Sequence, residues 1–233
     1  RFVVHDEEEF LDFVKIYNGK MNVYTSVYNY GEFSSNRGLE HSVIIDRIFL
    51  DIDAHGNDSL EEAYQNLKDL HGWLVKRNLK HRMAFSGRGF YIFVYGNRTS
   101  DLRRVKAFFN ICHDVINKST LLDHRVINTT RLRRVQNTYH LGAKKFSIPL
   151  KQSDLKHNLD FIIQMSKKPR RGGNEYYGEE LLVWPTVKEI EAAEIEIESV
   201  ESPATLPIIP CLHSANLVQN PLHEARYLLV QWY

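Results

Sequence analysis

The chain of 233 residues has only two cysteines, Cys112 and Cys211, and no excess of charge of either sign. Two cysteines exclude a disulfide framework and a complete four-cysteine metal site within these residues. With 30 Lys and Arg against 29 Asp and Glu, the net charge is +1, which excludes an overall basic protein. The local distribution of charge therefore decides which ligands the chain attracts.

Long apolar runs are absent as well. No stretch of about eighteen apolar residues occurs, and the N-terminus has no basic segment followed by a short apolar run. These absences argue against a membrane-spanning helix and a signal peptide, so we expect a cytoplasmic protein with no membrane partner. A content of 43% hydrophobic and 12% aromatic residues is sufficient for a packed globule.

The spacing of apolar residues predicts alternating helices and strands. Helical spacing occurs over residues 6–18, about 59–78 and from Ser100 onward. Strand-like composition occurs at 21–27, 42–53, 83–85 and 90–95, and residues 131–150 have the composition of a hairpin-like region. This order predicts an α/β (α+β) domain with mixed sheets.

The composition changes near residue 185. Six glutamates lie between residues 189 and 201, and prolines follow at 203, 207 and 210. An acidic segment followed by scattered prolines is typical of a linker. We therefore predict a main domain over 1–185, a linker over 186–210 and a small helical segment over 211–233.

Two aspartates, Asp51 and Asp53, stand at the end of the strand predicted over 42–53. Side chains two apart on a strand project to the same face, so both carboxylates point to one place. Two like charges that close are costly unless a cation lies between them, which favours a Mg²⁺ or Mn²⁺ site. The motif is short and common, and one aspartate could equally cap the helix that follows.

Asp123 is the third candidate carboxylate. It follows a helix and Leu121-Leu122, and no other acidic residue occurs from there to Leu150. A third carboxylate would complete a two-metal site, in which the entering and leaving oxygens are both stabilised. The alternative is a solvated turn residue.

Glycine and basic residues supply the candidate phosphate ligands. Ser86-Gly87-Arg88-Gly89 lies between two strand segments, where glycines let the backbone approach a ligand and Arg88 offers a bidentate fork. A tight turn with a surface arginine is the alternative. His140 is interpreted as a phosphate donor or a core histidine. Positive charge is concentrated between residues 125 and 145, at Arg125, Arg131, Arg133, Arg134, Lys144 and Lys145.

Three segments together resemble the archaeo-eukaryotic primase superfamily. They are F-L-D-I-D (49–53), F-S-G-R-G-F-Y-I-F-V (85–94) and the segment 123–150, which begins D-H-R-V-I-N and contains R-L-R-R and Y-H-L-G-A-K-K. Their order and spacing follow the three motifs of that family, over about residues 40–150. The resemblance is to the catalytic small subunit and to primase-polymerases of archaeal plasmids and viruses.

The resemblance implies roles for individual residues. It implies that the metal ligands are Asp51, Asp53 and Asp123. It also implies nucleotide contacts by Arg133 or Arg134, by His140 and by Lys144. The predicted nucleotide-binding residues further include Ser86 and Arg88, from the glycine-containing segment between the two strands. The second family motif usually ends in a nucleotide-binding histidine, whereas this chain has Tyr91 there. Tyrosine can also donate a hydrogen bond to phosphate.

The tail resembles the start of the C-terminal domain of the primase large subunit. I-P-C-L-H (209–213) precedes H-E-A-R-Y-L-L-V-Q-W-Y (223–233). The resemblance implies that Cys211 is the first ligand of an iron-sulfur cluster, which would need further cysteines beyond Tyr233 because none follows in this sequence.

The function expected from this resemblance is template-dependent nucleotidyl transfer, as a DNA primase or DNA polymerase in DNA replication. The implied partners are NTP or dNTP, a single-stranded DNA template, and a helicase or other replication protein. Two alternatives remain open. One is a glycosyltransferase whose D-x-D pair binds a nucleotide sugar through a metal, and the other is a noncatalytic nucleic-acid-binding replication module.

Overall fold

A computed structural model describes residues 6–31, 42–54 and 57–186. Four α-helices and nine β-strands are present in those ranges. The helices are α1 (Glu7–Tyr17), α2 (Asn57–Lys76), α3 (Leu102–Val115) and α4 (Leu159–Met165). The strands are β1 (Tyr24–Ser26), β2 (Asn29–Tyr30), β3 (Val43–Asp53), β4 (His81–Phe85), β5 (Gly89–Thr99), β6 (Leu132–Arg134), β7 (Tyr139–His140), β8 (Lys145–Phe146) and β9 (Ile148–Leu150). The predicted α/β class is confirmed.

An antiparallel sheet of five strands forms the centre, in the order β2-β3-β5-β4-β9. Strands β3 and β5 are each eleven residues long and pair along most of their length, with Asp51 opposite Tyr91 and Asp53 opposite Gly89. These strands are rich in β-branched and aromatic residues, which suit a pleated, buried surface.

Helix α2 covers one face of this sheet. Its apolar stripe, Tyr64, Leu67, Leu70 and Leu74, is fully buried. Tyr64 stacks on Phe90 of β5 with ring centroids 5.4 Å apart. Because side chains alternate along a strand, Ile52, which is paired with Phe90, lies on this face, whereas Asp51 and Asp53 lie on the other. Helix α3 packs beside α2 and buries Cys112.

Two short ribbons complete the described unit. Strands β1 and β6 pair antiparallel, with Tyr24 opposite Arg134, and β7 pairs with β8. The hairpin predicted over 131–150 is therefore present only between β7 and β8. The strands on either side of it pair elsewhere, β6 with β1 and β9 with β4. Tertiary pairing, and not local turn composition, decides the partners of these three-residue strands.

The described residues belong to one compact unit, Arg1–Ile190. The linker predicted over 186–210 and the segment predicted over 211–233, with Cys211, lie from residue 187 outside the described residues. Helix α2 begins at Asn57, two residues before the predicted start. Within the described ranges, no helix is long and apolar enough to cross a membrane.

Candidate functional site

Asp51 and Asp53 lie where the sequence predicts, on one face at the end of β3. Both side chains are largely enclosed, with relative exposures of 14% for Asp51 and 22% for Asp53. The strand places them there through its alternation, since the intervening Ile52 is fully buried on the helical face. Two carboxylates therefore share one half-buried wall.

Asp123 is brought to the same wall by backbone hydrogen bonds. The N–H of Asp53 donates to the carbonyl of Leu121 over 2.8 Å, and the N–H of Asp123 donates to the carbonyl of Asp51 over 2.9 Å. Residues 121–123 thus pair with the end of β3 as a short antiparallel extension, with Leu122 opposite Ile52. This pairing makes Asp123 a neighbour of Asp51, although the two are far apart in sequence.

Arginine side chains compensate the three carboxylates. Nη2 of Arg131 donates to Oδ2 of both Asp51 and Asp123, each over 3.0 Å. Arg88 makes a bidentate pair with Asp53, with Nε and Nη2 at 2.9 and 2.5 Å from the two carboxylate oxygens. Arg125 donates to Asp123 from both its backbone N–H and its Nε, each over 3.0 Å. Each carboxylate therefore has a guanidinium partner.

The crowding of acidic groups perturbs their protonation. Burial, together with the nearby charges of Asp53 and Asp123, raises the pKa of Asp51 to about 7, although Arg131 opposes the shift. Burial also acts on Asp123, but hydrogen bonds from Arg125 and the charge of Arg131 outweigh it and lower the pKa of that carboxyl. Asp51 is therefore the carboxyl of the cluster whose charged form is most disfavoured, first by burial and then by the charge of Asp53.

The cleft also contains a cationic side chain, Arg134, that is held by neutral groups. Arg134 is 3% exposed, and it donates to Oδ1 of Asn22 and to the hydroxyl of Tyr24, each over 3.0 Å. Neither partner carries a charge, so the positive charge of Arg134 is not compensated by its hydrogen-bond acceptors. Tyr91 is buried beside Asp51, and burial followed by the charge of Asp51 raises its pKa, which keeps its hydroxyl protonated.

The Ser86–Gly89 turn brings Arg88 and His140 to the cleft. Oγ of Ser86 accepts hydrogen bonds from the N–H groups of Gly89 and Arg88, over 2.9 and 3.3 Å. Gly87 has φ of +103°, and a Cβ there would lie 3.0 Å from Cβ of His140. The absence of a side chain at position 87 thus allows the turn and His140 to lie in contact.

His140 is held as a neutral donor. Its Nδ1 accepts from the backbone N–H of Ala143 over 3.2 Å, which leaves the proton on Nε2. Burial, followed by the charges of Arg134 and Arg88, lowers its pKa to about 4. At neutral pH the ring therefore offers an uncharged N–H.

These side chains line a single cleft of about 620 Å³. Eight of the predicted site residues are among its walls: Asp51, Asp53, Ser86, Arg88, Tyr91, Asp123, Arg134 and His140. Two predicted residues are not among the lining residues. Arg133 lies over the ring of Phe93, with Cζ 5.2 Å from the centroid, and Lys144 lies in the turn between β7 and β8 with φ of 53°.

Four polar residues of the cleft were not assigned a role from the sequence: Asn22, Tyr24, Arg125 and Arg131. Both arginines were visible as part of the basic segment 125–145, but charge density does not indicate which of them pairs with a carboxylate. Asn22 and Tyr24 carry no local signal, since they reach the cleft only because β1 pairs with β6.

The donor chemistry of the cleft suits a hard divalent cation, because carboxylate oxygens are the ligands that Mg²⁺ and Mn²⁺ prefer. The pKa of Asp51 is raised first by burial and then by the neighbouring charge of Asp53. In the described part of the chain, no group of three or more His, Cys, Asp or Glu side chains is arranged to hold a metal ion. The guanidinium of Arg131 bridges two of the carboxylates instead.

Comparisons with known proteins give little further information. No family model matches the chain, and no curated protein matches it in sequence. Among solved structures, the chain is similar to the polymerase domain from Mycobacterium tuberculosis Ligase D in complex with DNA, with a TM-score of 0.43 and 11% identity. The match covers 78% of this chain and 64% of that chain. Nothing about function follows from a likeness at that level.

Proposed function

We propose that this chain carries the catalytic domain of a template-dependent nucleotidyl transferase of the primase-polymerase type. One observation carries the proposal. The three sequence segments that resemble the primase motifs, 49–53, 85–94 and 123–150, all contribute to one cleft. Asp51, Asp53 and Asp123 lie together in that cleft, and its lining also includes Arg134, whose hydrogen-bond acceptors are neutral, and the neutral donor His140.

Asp51, Asp53 and Asp123 would hold the divalent cations. When bound, such cations supply charge stabilisation for the attacking hydroxyl and for the leaving pyrophosphate. The carboxylates themselves supply negative charge at a half-buried place where water is partly excluded, which strengthens electrostatic interactions. This role accounts for a cluster of acids that is otherwise costly to bury.

The cationic and neutral donor side chains of the cleft would bind the triphosphate. Arg134 presents a guanidinium whose orientation is set by Asn22 and Tyr24, so little conformational entropy is lost when an anion binds. His140 would donate from Nε2 without adding charge. Arg88 has a side chain that is 54% exposed and pairs with Asp53. When Asp53 binds a cation, Arg88 would leave Asp53 and pair with a phosphate instead.

The reaction that follows is attack of a 3′-hydroxyl on the α-phosphorus of an NTP or dNTP. A new bond forms between the 3′-oxygen and the α-phosphorus, the bond from the α-phosphorus to the oxygen that bridges to the β-phosphate breaks, pyrophosphate leaves, and the hydroxyl proton passes to solvent. Arg134 and Arg88 would neutralise charge on the leaving pyrophosphate. Single-stranded DNA is the template in this proposal.

The test is incubation of the full chain with labelled dNTPs or NTPs, a primed single-stranded DNA template, and Mg²⁺ or Mn²⁺. Extension that depends on template and is lost in Asp51→Asn is the expected result. A parallel incubation with labelled nucleotide sugars tests the glycosyltransferase alternative. Sugar transfer without extension, or DNA binding with neither reaction, would overturn the proposal in favour of one of the two alternatives.

A further inference from the structure

A second cluster of arginines lies outside the cleft, on the same sheet face as Asp51. The cluster consists of Arg47 on β3, Arg82 on β4 and Arg133 on β6. Arg47 is opposite Tyr95 in the ladder, and Arg82 is opposite Phe93. Side chains two apart on a strand share a face, so Asp51, Phe49 and Arg47 form one row along β3. At about 3.3 Å per residue, Arg47 begins roughly 13 Å from Asp51.

Two of these arginines lack an acidic partner in the described ranges. Arg47 pairs with Asp46 at 2.6 Å. Arg82 donates to the neutral side chain of Asn174 over 3.3 Å, and Arg133 reaches only the carbonyl of Arg134 over 3.5 Å. Within the part of the chain that the structure describes, neither takes part in a salt bridge. The buried Nε atoms of both are also without a hydrogen-bond partner there.

The lack of compensation has an electrostatic cost. Burial, followed by the nearby charge of Arg82, lowers the pKa of Arg133 to about 10. A guanidinium is normally protonated at every accessible pH, so a shift of this direction reports repulsion between like charges in a poorly hydrated place. Ionisable groups perturbed by burial together with a specific charged neighbour occur preferentially at functional sites.

Aromatic rings lie under and beside the guanidinium groups. Cζ of Arg82 is 4.8 Å from the centroid of Phe93, and Cζ of Arg133 is 5.2 Å from the same ring. Tyr176 lies next to Tyr95, with centroids 5.3 Å apart, and is 52% exposed. Cation–π contacts hold the arginines in place, but they do not neutralise the charge. An exposed ring beside uncompensated arginines is the combination that binds single-stranded nucleic acid.

We propose that Arg82 and Arg133 bind phosphate groups of single-stranded nucleic acid, with a base stacked on Tyr176, as the strand continues along the sheet from the cleft. The identity of this strand as the template rests on the proposed function. Strand β6 connects the two sites, because Arg134 lines the cleft whereas the adjacent Arg133 lies in the second cluster. Because side chains alternate along β6, Arg134 faces the nucleotide site and the adjacent Arg133 faces the proposed site for single-stranded nucleic acid.

The test measures binding of a fluorescein-labelled oligo-dT 20-mer, and of an abasic strand of the same length, to the full chain by anisotropy over a range of salt concentrations. Arg82→Gln and Arg133→Gln should each weaken binding of both strands about tenfold and reduce the salt slope by about 0.7. Tyr176→Ala should weaken oligo-dT binding about fivefold and leave the abasic strand unaffected. Arg98→Gln, at an exposed arginine on the same strand as Tyr95, is the matched control and should have no effect.

Thermal midpoints accompany each measurement, because loss of a half-buried arginine can unfold the chain. If the glutamine variants do not fold, Arg82→Lys and Arg133→Lys keep the charge and should bind with an intermediate loss. Folded arginine variants that bind both strands like wild type, or a Tyr176→Ala effect that is equal on both strands, would overturn the proposal. Extension assays separate the two proposals. An unchanged KM for the template in folded arginine variants would overturn only the proposed strand-binding surface. Binding that depends on the arginines, without any extension, would overturn only the proposed transferase function.

Discussion

The backbone of Asp123 is hydrogen-bonded to the backbone of Asp51, N–H to carbonyl over 2.9 Å, while Nη2 of Arg131 joins their side chains. The first of these contacts places the third carboxylate through main-chain pairing, which is more rigid than a contact between two flexible side chains. Rigid placement of charged groups is what electrostatic stabilisation of a transition state requires. The consequences can be measured.

Replacing any of the cleft carboxylates should abolish incorporation while the fold persists. We expect Asp51→Asn, Asp53→Asn and Asp123→Asn to lower incorporation by about a hundredfold or more, because a lost ligand removes charge stabilisation of the transferring phosphoryl group. The measurement is single-nucleotide extension of a primed template, with circular dichroism as the test of folding. The control is Asp114→Asn, at an exposed aspartate paired only loosely with Lys118 at 3.9 Å, and it should extend normally. Normal extension by a folded Asp123→Asn protein would remove that residue from the site.

His140 should act on nucleotide affinity. His140→Ala should raise KM for the triphosphate about fivefold with little change in kcat, because one neutral hydrogen bond is lost to ground state and transition state alike. His140→Gln keeps a side-chain N–H and should recover part of the loss. Steady-state extension at varied dNTP concentration measures both parameters, and His157→Ala, at an exposed histidine that does not line the cleft, is the control. A fall in kcat alone would show instead that His140 acts only in the transition state.

Gly89 should not tolerate a side chain. A Cβ at that position would collide with the carbonyl of Ile52 in the paired strand, between the two metal-ligand candidates. Gly89→Ala should therefore destabilise the protein by about 2 kcal/mol or more and lower incorporation as well. Gly72 in α2 is the matched control, since a Cβ there meets nothing within 4 Å. Gly72→Ala should stabilise by about 0.5–1 kcal/mol through helix propensity, and urea unfolding curves measure both changes. Equal stability of the Gly89→Ala protein would show that β3 and β5 separate easily at this end.

The buried histidine pair should make stability depend on pH. Nδ1 of His71 lies 2.8 Å from Nε2 of His81, and burial, followed by the proximity of His81, lowers the pKa of His71 from 6.5 to about 4. The unfolded chain therefore binds this proton more readily than the folded chain. The corresponding stability is complete above pH 6.5 and is lost as the pH falls toward 4. Between pH 7 and pH 5 the loss should be on the order of 2 kcal/mol, to which His81, whose pKa is also lowered, contributes.

Urea unfolding at pH 7 and pH 5 measures this dependence. His71→Gln retains a polar side chain but has no proton to bind, so the difference in unfolding free energy between the two pH values should shrink. The control substitution is His113→Gln, in a second histidine pair, where the rings of His113 and His124 lie 4.7 Å apart. A His71→Gln protein that loses as much stability as wild type would assign the pH dependence to other groups.

Sequence patterns were sufficient to predict the longest helix and the longest strands. Helix α2 has apolar residues at helical spacing, whereas β3 and the apolar part of β5 are rich in β-branched and aromatic residues, so local pattern and burial agree. The alternation of side chains along a strand placed Asp51 and Asp53 on one face without any knowledge of the fold. The strands β6 and β9 were not separable from the predicted hairpin by sequence, because these three-residue strands take their partners from distant segments.

The choice between Arg133 and Arg134 shows most directly what sequence patterns do not predict. Both stand in one basic run, and the sequence favours neither as the nucleotide ligand. The pairing of β6 with β1 puts Arg134 against Asn22 and Tyr24 in the cleft and turns Arg133 onto Phe93. Adjacent side chains on a strand must point to opposite faces, so the register of one short ribbon assigns the two residues to different surfaces.

The sequence by itself determined the α/β class, the paired carboxylates of β3 and the basic character of residues 125–145, because each depends on residue type and on periods of two or 3.6 residues. Only the tertiary structure decided that Asp123 pairs with Asp51, that Arg131 bridges them, and that Arg82 and Arg133 meet on one sheet face. Those relationships depend on strand pairing between segments far apart in the chain. The register of such pairing is set by the packing of the whole domain, and no local run of residues contains it.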